Sequence, residues 1–157
     1  MTALPSVLFV CLGNICRSPL AEAAFRSAAN KANLQVVTDS AGTAAYHVGQ
    51  PPDPRSIEIA KLKGIDISGY RGRQLKQDDF NTFNFIFAMD EQNLSDIKHL
   101  APPITNARIS LLLDVLPARM GQNIEDPYYG GKNGFDRTWN EVSEAAQAFV
   151  LQLKAAV

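Results

Sequence analysis

A chain of 157 residues with 46% apolar and 20% charged side chains is long enough for one globular domain to bury its core without staples. Its formal net charge of −1 excludes a general attraction to nucleic acid or to an anionic membrane, so any affinity for anions must be local. Its first apolar run is too short for a signal segment or a membrane span, residues 1–6 carry no basic side chain, and its two cysteines are too few for a disulfide framework or a four-ligand zinc site; a cytoplasmic protein is expected.

Val7-Leu8-Phe9-Val10 is the first element, an apolar, partly β-branched run with the character of a strand buried on both faces of a parallel sheet. Cys11 stands at its carboxyl end. Gly13 and Asn14 tolerate positive φ, so the loop through Leu12, Gly13, Asn14, Ile15 and Cys16 can curl until its N–H groups face one point, an anion-binding nest. Ser18-Pro19 then offers a capping hydroxyl and a proline suited to a first helical turn. Leu20 to Asn33 follows as an amphipathic helix with Leu20, Ala23, Ala24 and Ala28 on its apolar stripe. Inward-turned N–H groups, a helix N-terminus and the Arg17 guanidinium favour a cysteine in its thiolate form. The same donors suit a tetrahedral phosphate, with the planar fork of Arg17 on two oxygens.

Gln35-Val36-Val37-Thr38 reads as the second strand. The strand, helix, strand unit implies a right-handed crossover, which brings Asp39 and Ser40 to the sheet edge where Cys11 lies. A loop over residues 41–53 holds Tyr46 and a solvated His47, and Pro54 to Leu62 is a helix closed by Gly64. Arg71 and Arg73 suggest a phosphate or peptide contact, but two arginines in a turn read rather as a solvated face. Phe83 to Met89 is the third strand, after which Asp90 caps a helix reaching Leu100, with His99 in its last turn. Ala107 to Leu111 is the fourth strand, and Leu112 to Leu116 either prolongs it or starts a short helix. Gly121 to Gly134 is a long polar loop of the kind that is usually functional. From Phe135 the positions Trp139, Val142, Ala146, Phe149 and Leu153 keep a helical period and belong to the core. The fold class expected is α/β: one domain over residues 1–157, an open, parallel four-stranded sheet with helices on both faces, and a phosphate-binding loop between the first strand and the first helix.

Cys11-Leu12-Gly13-Asn14-Ile15-Cys16-Arg17-Ser18-Pro19 behind that strand, Asp39-Ser40-Ala41-Gly42-Thr43 after the second, and Asp126-Pro127-Tyr128-Tyr129 near the C-terminus together resemble the low-molecular-weight protein tyrosine phosphatases over almost the whole chain. The resemblance implies hydrolysis of phosphotyrosine and small aryl phosphates through a phosphocysteine on Cys11. Arg17 binds the phosphate in this reading, and Asp126, stiffened by Pro127, is the general acid and later the base. The resemblance puts Tyr46 at the cleft mouth against the substrate ring, where the residues alone also allow an ordinary exposed aromatic. Tyr128 and Tyr129 either wall the cleft or pack their loop. Ser18 is expected to hydrogen-bond the sulfur. No metal or cofactor is required, since Arg17 and the loop N–H groups offset the phosphate charge.

Cys16 reads either as a redox partner for an oxidised Cys11 or as a small loop residue packed on the core. Asp90 reads as a helix cap and is the next acid after Asp126. Some mammalian-type members support the phosphate loop with a histidine in the stretch that is Ile67-Ser68-Gly69-Tyr70 here, and its absence leaves Asn14 and Ser40 without an assigned partner. The expected partners are a tyrosine-phosphorylated protein, by bacterial analogy an autophosphorylating tyrosine kinase, and phosphate as product and inhibitor, with the protein a monomer. The rivals fare worse. An arsenate reductase on this fold needs cysteines outside the loop, a non-catalytic phosphotyrosine-binding module needs neither Cys11 nor Asp126, and a nucleotide-binding loop needs a Gly-x4-Gly-Lys-Ser/Thr motif that does not occur.

Overall fold

The first strand is apolar without alternation because both of its faces are covered. In the computed structural model, which describes residues 4–156, β1 (Ser6–Cys11), β2 (Val37–Gly42), β3 (Phe85–Ala88) and β4 (Arg108–Leu111) form one four-stranded sheet in the order β2-β1-β3-β4. Every pairing is parallel. Residues 1–3 and 157, which the expected domain span and the reading of the N-terminal segment include, lie outside the described residues. The helices are α1 (Arg17–Lys31), α2 (Pro54–Leu62), a single turn α3 (Asp79–Thr82), α4 (Glu91–Leu100) and α5 (Lys132–Ala155).

Val7, Phe9 and Cys11 face a core made with α1, α2 and α5, in which Phe25, Ala60, Trp139 and Phe149 are buried. Leu8 and Val10 face the other way, onto Phe80, Ile86 and Ile97. The period of two along β1 thus divides one apolar run between two cores. On the α1/α5 side the phenylalanines interlock, with ring centroids 5.6 Å apart for Phe9 and Phe25 and 4.9 Å for Phe87 and Phe149. Such a core supplies a rigid edge. From β1 the chain crosses to β2 on one side and then to β3 on the other, so a crevice opens at the carboxyl ends of β1 and β3, where the connections diverge. Cys11 ends β1 there, and Asp90 follows β3.

Several boundaries differ from those expected. The second strand runs over Val37–Gly42 rather than residues 35–38, because pairing with β1 continues until Gly42 stands opposite Cys11. A Cβ on Gly42 would lie 2.8 Å from the Leu12 carbonyl oxygen, so only glycine lets the strand end approach the loop this closely. Helix α1 starts at Arg17, so Cys16 stands at the cap position without a side-chain cap and Ser18 lies inside the first turn. The third strand is trimmed to Phe85–Ala88 and α3 has no counterpart among the expected elements, while of the two readings of Leu112 to Leu116 the short helix is the one formed, a 3-10 turn over Leu112–Val115. The polar loop before α5 contains a 3-10 turn, Pro127–Tyr129, and gives way to the helix three residues early, with α5 starting at Lys132 rather than Phe135. Among the described residues no helix is long and apolar enough to cross a membrane.

Candidate active site

The loop after β1 is held from behind by Asn14. Its φ of 60° is in the left-handed region, which asparagine tolerates better than most residues; Gly13 does not adopt a positive φ. The Asn14 amide donates to Ser18 Oγ at 2.8 Å and to Ser40 Oγ at 2.9 Å, and its Oδ1 accepts the Arg73 N–H at 3.0 Å. All the polar atoms of the side chain are therefore engaged across three segments. Because Ser18 accepts from Asn14, its own hydrogen is free for Cys11 Sγ, 3.1 Å away. The Asn14 N–H donates to the same sulfur at 3.3 Å. Among the described residues, the N–H groups of Leu12, Gly13, Ile15 and Cys16 are paired with no backbone carbonyl, as an anion nest requires.

These bonds supply the support that the missing histidine left open. Arg73, expected as a solvated turn residue, is the anchor. Its Nε lies 3.0 Å from Asp39 Oδ2, and its two terminal nitrogens donate to the two oxygens of Asp79, each at 3.0 Å. Asp79 is 2% exposed and also accepts the Lys76 N–H. Burial alone would lower the affinity of Arg73 for its proton, but Asp79 and Asp39 outweigh it and raise it. Ser40 in turn donates to Glu22, whose carboxyl is pushed up by burial.

Arg17 is the other fixed point. Only 2% exposed, its Nη1 donates to Asp90 Oδ2 at 2.6 Å and to the Ile124 carbonyl at 2.9 Å. Nη2 lies 3.5 Å from Asp126 Oδ2, while the buried Nε has no hydrogen-bond partner among the described residues. Asp90 also caps α4 through Asn93 N–H at 2.8 Å, so one carboxylate ends a helix and orients the guanidinium. Burial would lower the proton affinity of Arg17, yet Cys11, Asp90 and Asp126 raise it, and the side chain is a permanent cation. An orphaned buried N–H on a cation is costly, and a phosphate oxygen would satisfy it.

Cys11, Arg17 and Asp126 line one cavity of about 160 Å³, together with Leu12, Gly13, Ile15 and Cys16 of the loop. Asn14 and Ser18 stand behind it, in the supporting network. Tyr46, 72% exposed, and Tyr129, 91% exposed, stand with Tyr128 at its mouth. Asp126 is one third exposed, and its Oδ1 accepts the N–H of Tyr128 at 3.0 Å. His47, expected as solvated, also lines the cavity, with its ring packed on Gly13 and Nδ1 2.8 Å from Gln50.

Cys16 is buried with Ile15 and Phe135. Burial pushes its thiol up, Asp53, Cys11 and Asp126 add to this, and Arg55 opposes it. Asp53 and Arg55 were not among the expected site residues. The Asp53-Pro54 pair at a helix start is a legible capping signal; nothing local marks Arg55 or Asp79, and the Arg-Gly-Arg turn marks Arg73 no more than Arg71.

A family model described as low molecular weight phosphotyrosine protein phosphatase matches residues 6–157. The low molecular weight phosphotyrosine protein phosphatase of Schizosaccharomyces pombe is 42% identical over 153 residues, covering 96% of this chain and 97% of that protein. The crystal structure of a protein tyrosine phosphatase from Entamoeba histolytica matches with a TM-score of 0.90 at 34% identity, over 97% of this chain and 98% of the other. That of a Drosophila arginine phosphatase matches with a TM-score of 0.89 at 37% identity, over 94% and 97%. With sequence and backbone alike matching from the first strand to the last helix, the chain belongs to the low-molecular-weight phosphotyrosine protein phosphatase family.

Proposed function

We infer that the protein hydrolyses phosphotyrosine in proteins, and small aryl phosphates, through a phosphocysteine on Cys11. The Cys11 thiolate attacks phosphorus, the bond to the aryl oxygen breaks, and Asp126, protonated at the outset, gives its proton to the departing oxygen. Asp126 then takes a proton from water, which attacks the phosphocysteine; the sulfur leaves as thiolate and inorganic phosphate is released. Arg17 offers Nε and Nη2 to the equatorial oxygens, and the loop N–H groups take the rest of the charge. In the second step the Ser18 hydroxyl donates to the leaving sulfur. The observation that carries this reading is the buried Arg17 whose Nε has no partner among the described residues, in the cavity that also holds Cys11 and Asp126. Tyr46, Tyr128 and Tyr129 at the mouth favour an aryl ester.

Mass spectrometry after acid quench should find a phosphate adduct on Cys11 that is absent from Cys11→Ser, with turnover indifferent to EDTA. Activity lost with EDTA and restored by zinc would overturn the reading. A phosphoarginine peptide turned over faster than a phosphotyrosine peptide would overturn the aryl assignment.

The same reading puts the enzyme in the cytoplasm as a monomer of one domain over residues 1–157, with a tyrosine-phosphorylated protein as substrate and, by bacterial analogy, a tyrosine kinase among its partners. Phosphate is its product and inhibitor. Cys16 serves as the resolving thiol: peroxide oxidises Cys11 to a sulfenic acid, and Cys16 displaces water from it to form a disulfide. After peroxide, dithiothreitol should restore the wild type but not Cys16→Ser; equal recovery of both would remove Cys16 from that role.

A further inference from the structure

Asp126 rides on a loop pinned before it by Ile124, whose N–H donates to the Met89 carbonyl at 2.8 Å and whose carbonyl accepts from Arg17; beyond it the chain runs out to the surface. Its turn is three residues long, Pro127–Tyr129, and both tyrosines are exposed. The Tyr128 N–H, which donates to Asp126 Oδ1, orients the carboxylate relative to its own loop, and Asp126 Oδ2 lies 3.5 Å from Arg17 Nη2 of the Cys11 loop. The backbone that follows Asp126 is tied to the same loop by a second route, through Arg55 in the first turn of α2. Arg55 Nη2 donates to the Tyr128 carbonyl at 3.1 Å and Nη1 to the Gly130 carbonyl at 3.3 Å. Its guanidinium lies over the Tyr128 ring at 5.7 Å and the Phe135 ring at 4.5 Å.

The other side of the same helical turn grips the phosphate loop. Asp53 N–H donates to the Ile15 carbonyl at 2.8 Å, and Ser56 Oγ to the Cys16 carbonyl at 3.3 Å. Asp53 joins the halves, because its carboxylate accepts from Arg55 Nε at 3.0 Å and Nη2 at 2.9 Å while also capping α2. The short segment from Asp53 to Ser56 thus connects the loop that carries Cys11 with the loop that carries Asp126.

We propose that Arg55 is a positioning residue for the proton donor, setting the place of Asp126 over the Cys11 loop through the Tyr128 and Gly130 carbonyls. The proposal rests on the reading of Asp126 as general acid. Arg55 lies outside the residues lining the cavity, so its effect passes through Asp126 and appears only where the leaving oxygen needs a proton. Reactivity is steep in such placement, a misplacement of about 1 Å costing as much as about a hundredfold in rate. Lysine is only a partial substitute, since a point charge can reach one carbonyl but cannot bridge two and stack on two rings.

The test is phenol release in the first turnover, measured for wild type, Arg55→Gln, Arg55→Lys, Asp126→Ala and Arg55→Gln/Asp126→Ala on aryl phosphates of rising leaving-group pKa. Arg55→Gln should slow phenyl phosphate about tenfold and dinitrophenyl phosphate by less than about twofold, with Arg55→Lys between it and wild type. In the Asp126→Ala background, the Arg55 substitution should add no further dependence on the leaving group, because the acid it positions is gone. A uniform loss across the series, or no loss, would overturn the role given to Arg55. Should Arg55→Gln fail to fold, the same comparison made with Arg55→Lys decides between these outcomes. If Asp126→Ala keeps the wild-type slope, it is the acid assignment that fails, whatever Arg55 does.

Discussion

Cys11 and Arg17 divide the work of the site between sulfur and guanidinium, and each has a distinct signature on removal. Cys11→Ser should lose turnover by more than about a thousandfold yet still bind inorganic phosphate in calorimetry, because the N–H nest does not depend on the sulfur. Arg17→Lys should lose both, since a lysine offers no planar fork and leaves Asp90 and the Ile124 carbonyl without their donor. The nest was legible in Gly13 and Asn14 because backbone tolerance is a property of the residue itself. That Asn14 alone takes positive φ was not, because the choice depends on Arg73, Ser40 and Ser18 accepting and donating around its amide.

At the scale of elements, the phosphate loop is only as rigid as the segments that hold it. Asp79, buried in the single turn of α3, fixes Arg73, whose N–H fixes Asn14. Asp79→Ala should therefore destabilise the protein by about 3 kcal/mol, as when one partner of a buried pair is removed, and should weaken phosphate binding although Asp79 lies outside the cavity. Chemical denaturation and phosphate titration check the two effects. Asp53, which caps α2, responds to pH. Hydrogen bonds from Arg55 hold its carboxyl below the usual carboxylate range, so it binds a proton less readily folded than unfolded. Its contribution to stability is complete above the unfolded value of about 4 and fades as pH falls through the lower folded value. Asp53→Asn should reduce the acid-side slope of the unfolding midpoint while leaving the slope near neutrality unchanged.

For the whole molecule, ligand and fold are linked through the switch point between β1 and β3. Inorganic phosphate at a hundred times its dissociation constant should stabilise the native state by about 2.7 kcal/mol, raising the melting temperature of wild type and Cys11→Ser but not of Arg17→Lys. Catalysis offers the complementary reading. With Asp126 in place, first-turnover rates should vary little with leaving-group pKa, and Asp126→Ala should make them fall steeply as that pKa rises. Equal slopes would make Asp126 a loop residue and Asp90 the next acid to test.

The sequence by itself determined what is carried by nearest neighbours along the chain. The apolar run of β1 announces burial on both faces, glycine and asparagine announce a curled loop, and Cys11 with Arg17 announces a thiol beside a cation, because periodicity, backbone tolerance and charge are local quantities. The tertiary structure decided which of several chemically identical side chains does which task. Arg17 meets Asp90 across 73 residues and Ile124 across 107, Arg73 meets Asn14 across 59, and Arg55 meets Tyr128 across 73. Nothing local separates Arg71, whose nearest acceptors are the carbonyls of its own turn, from Arg73 two residues on. The parallel register of the sheet and the seating of α2 and α3 against it bring the acceptors to one arginine and not the other, and those distances exist only once the chain has folded.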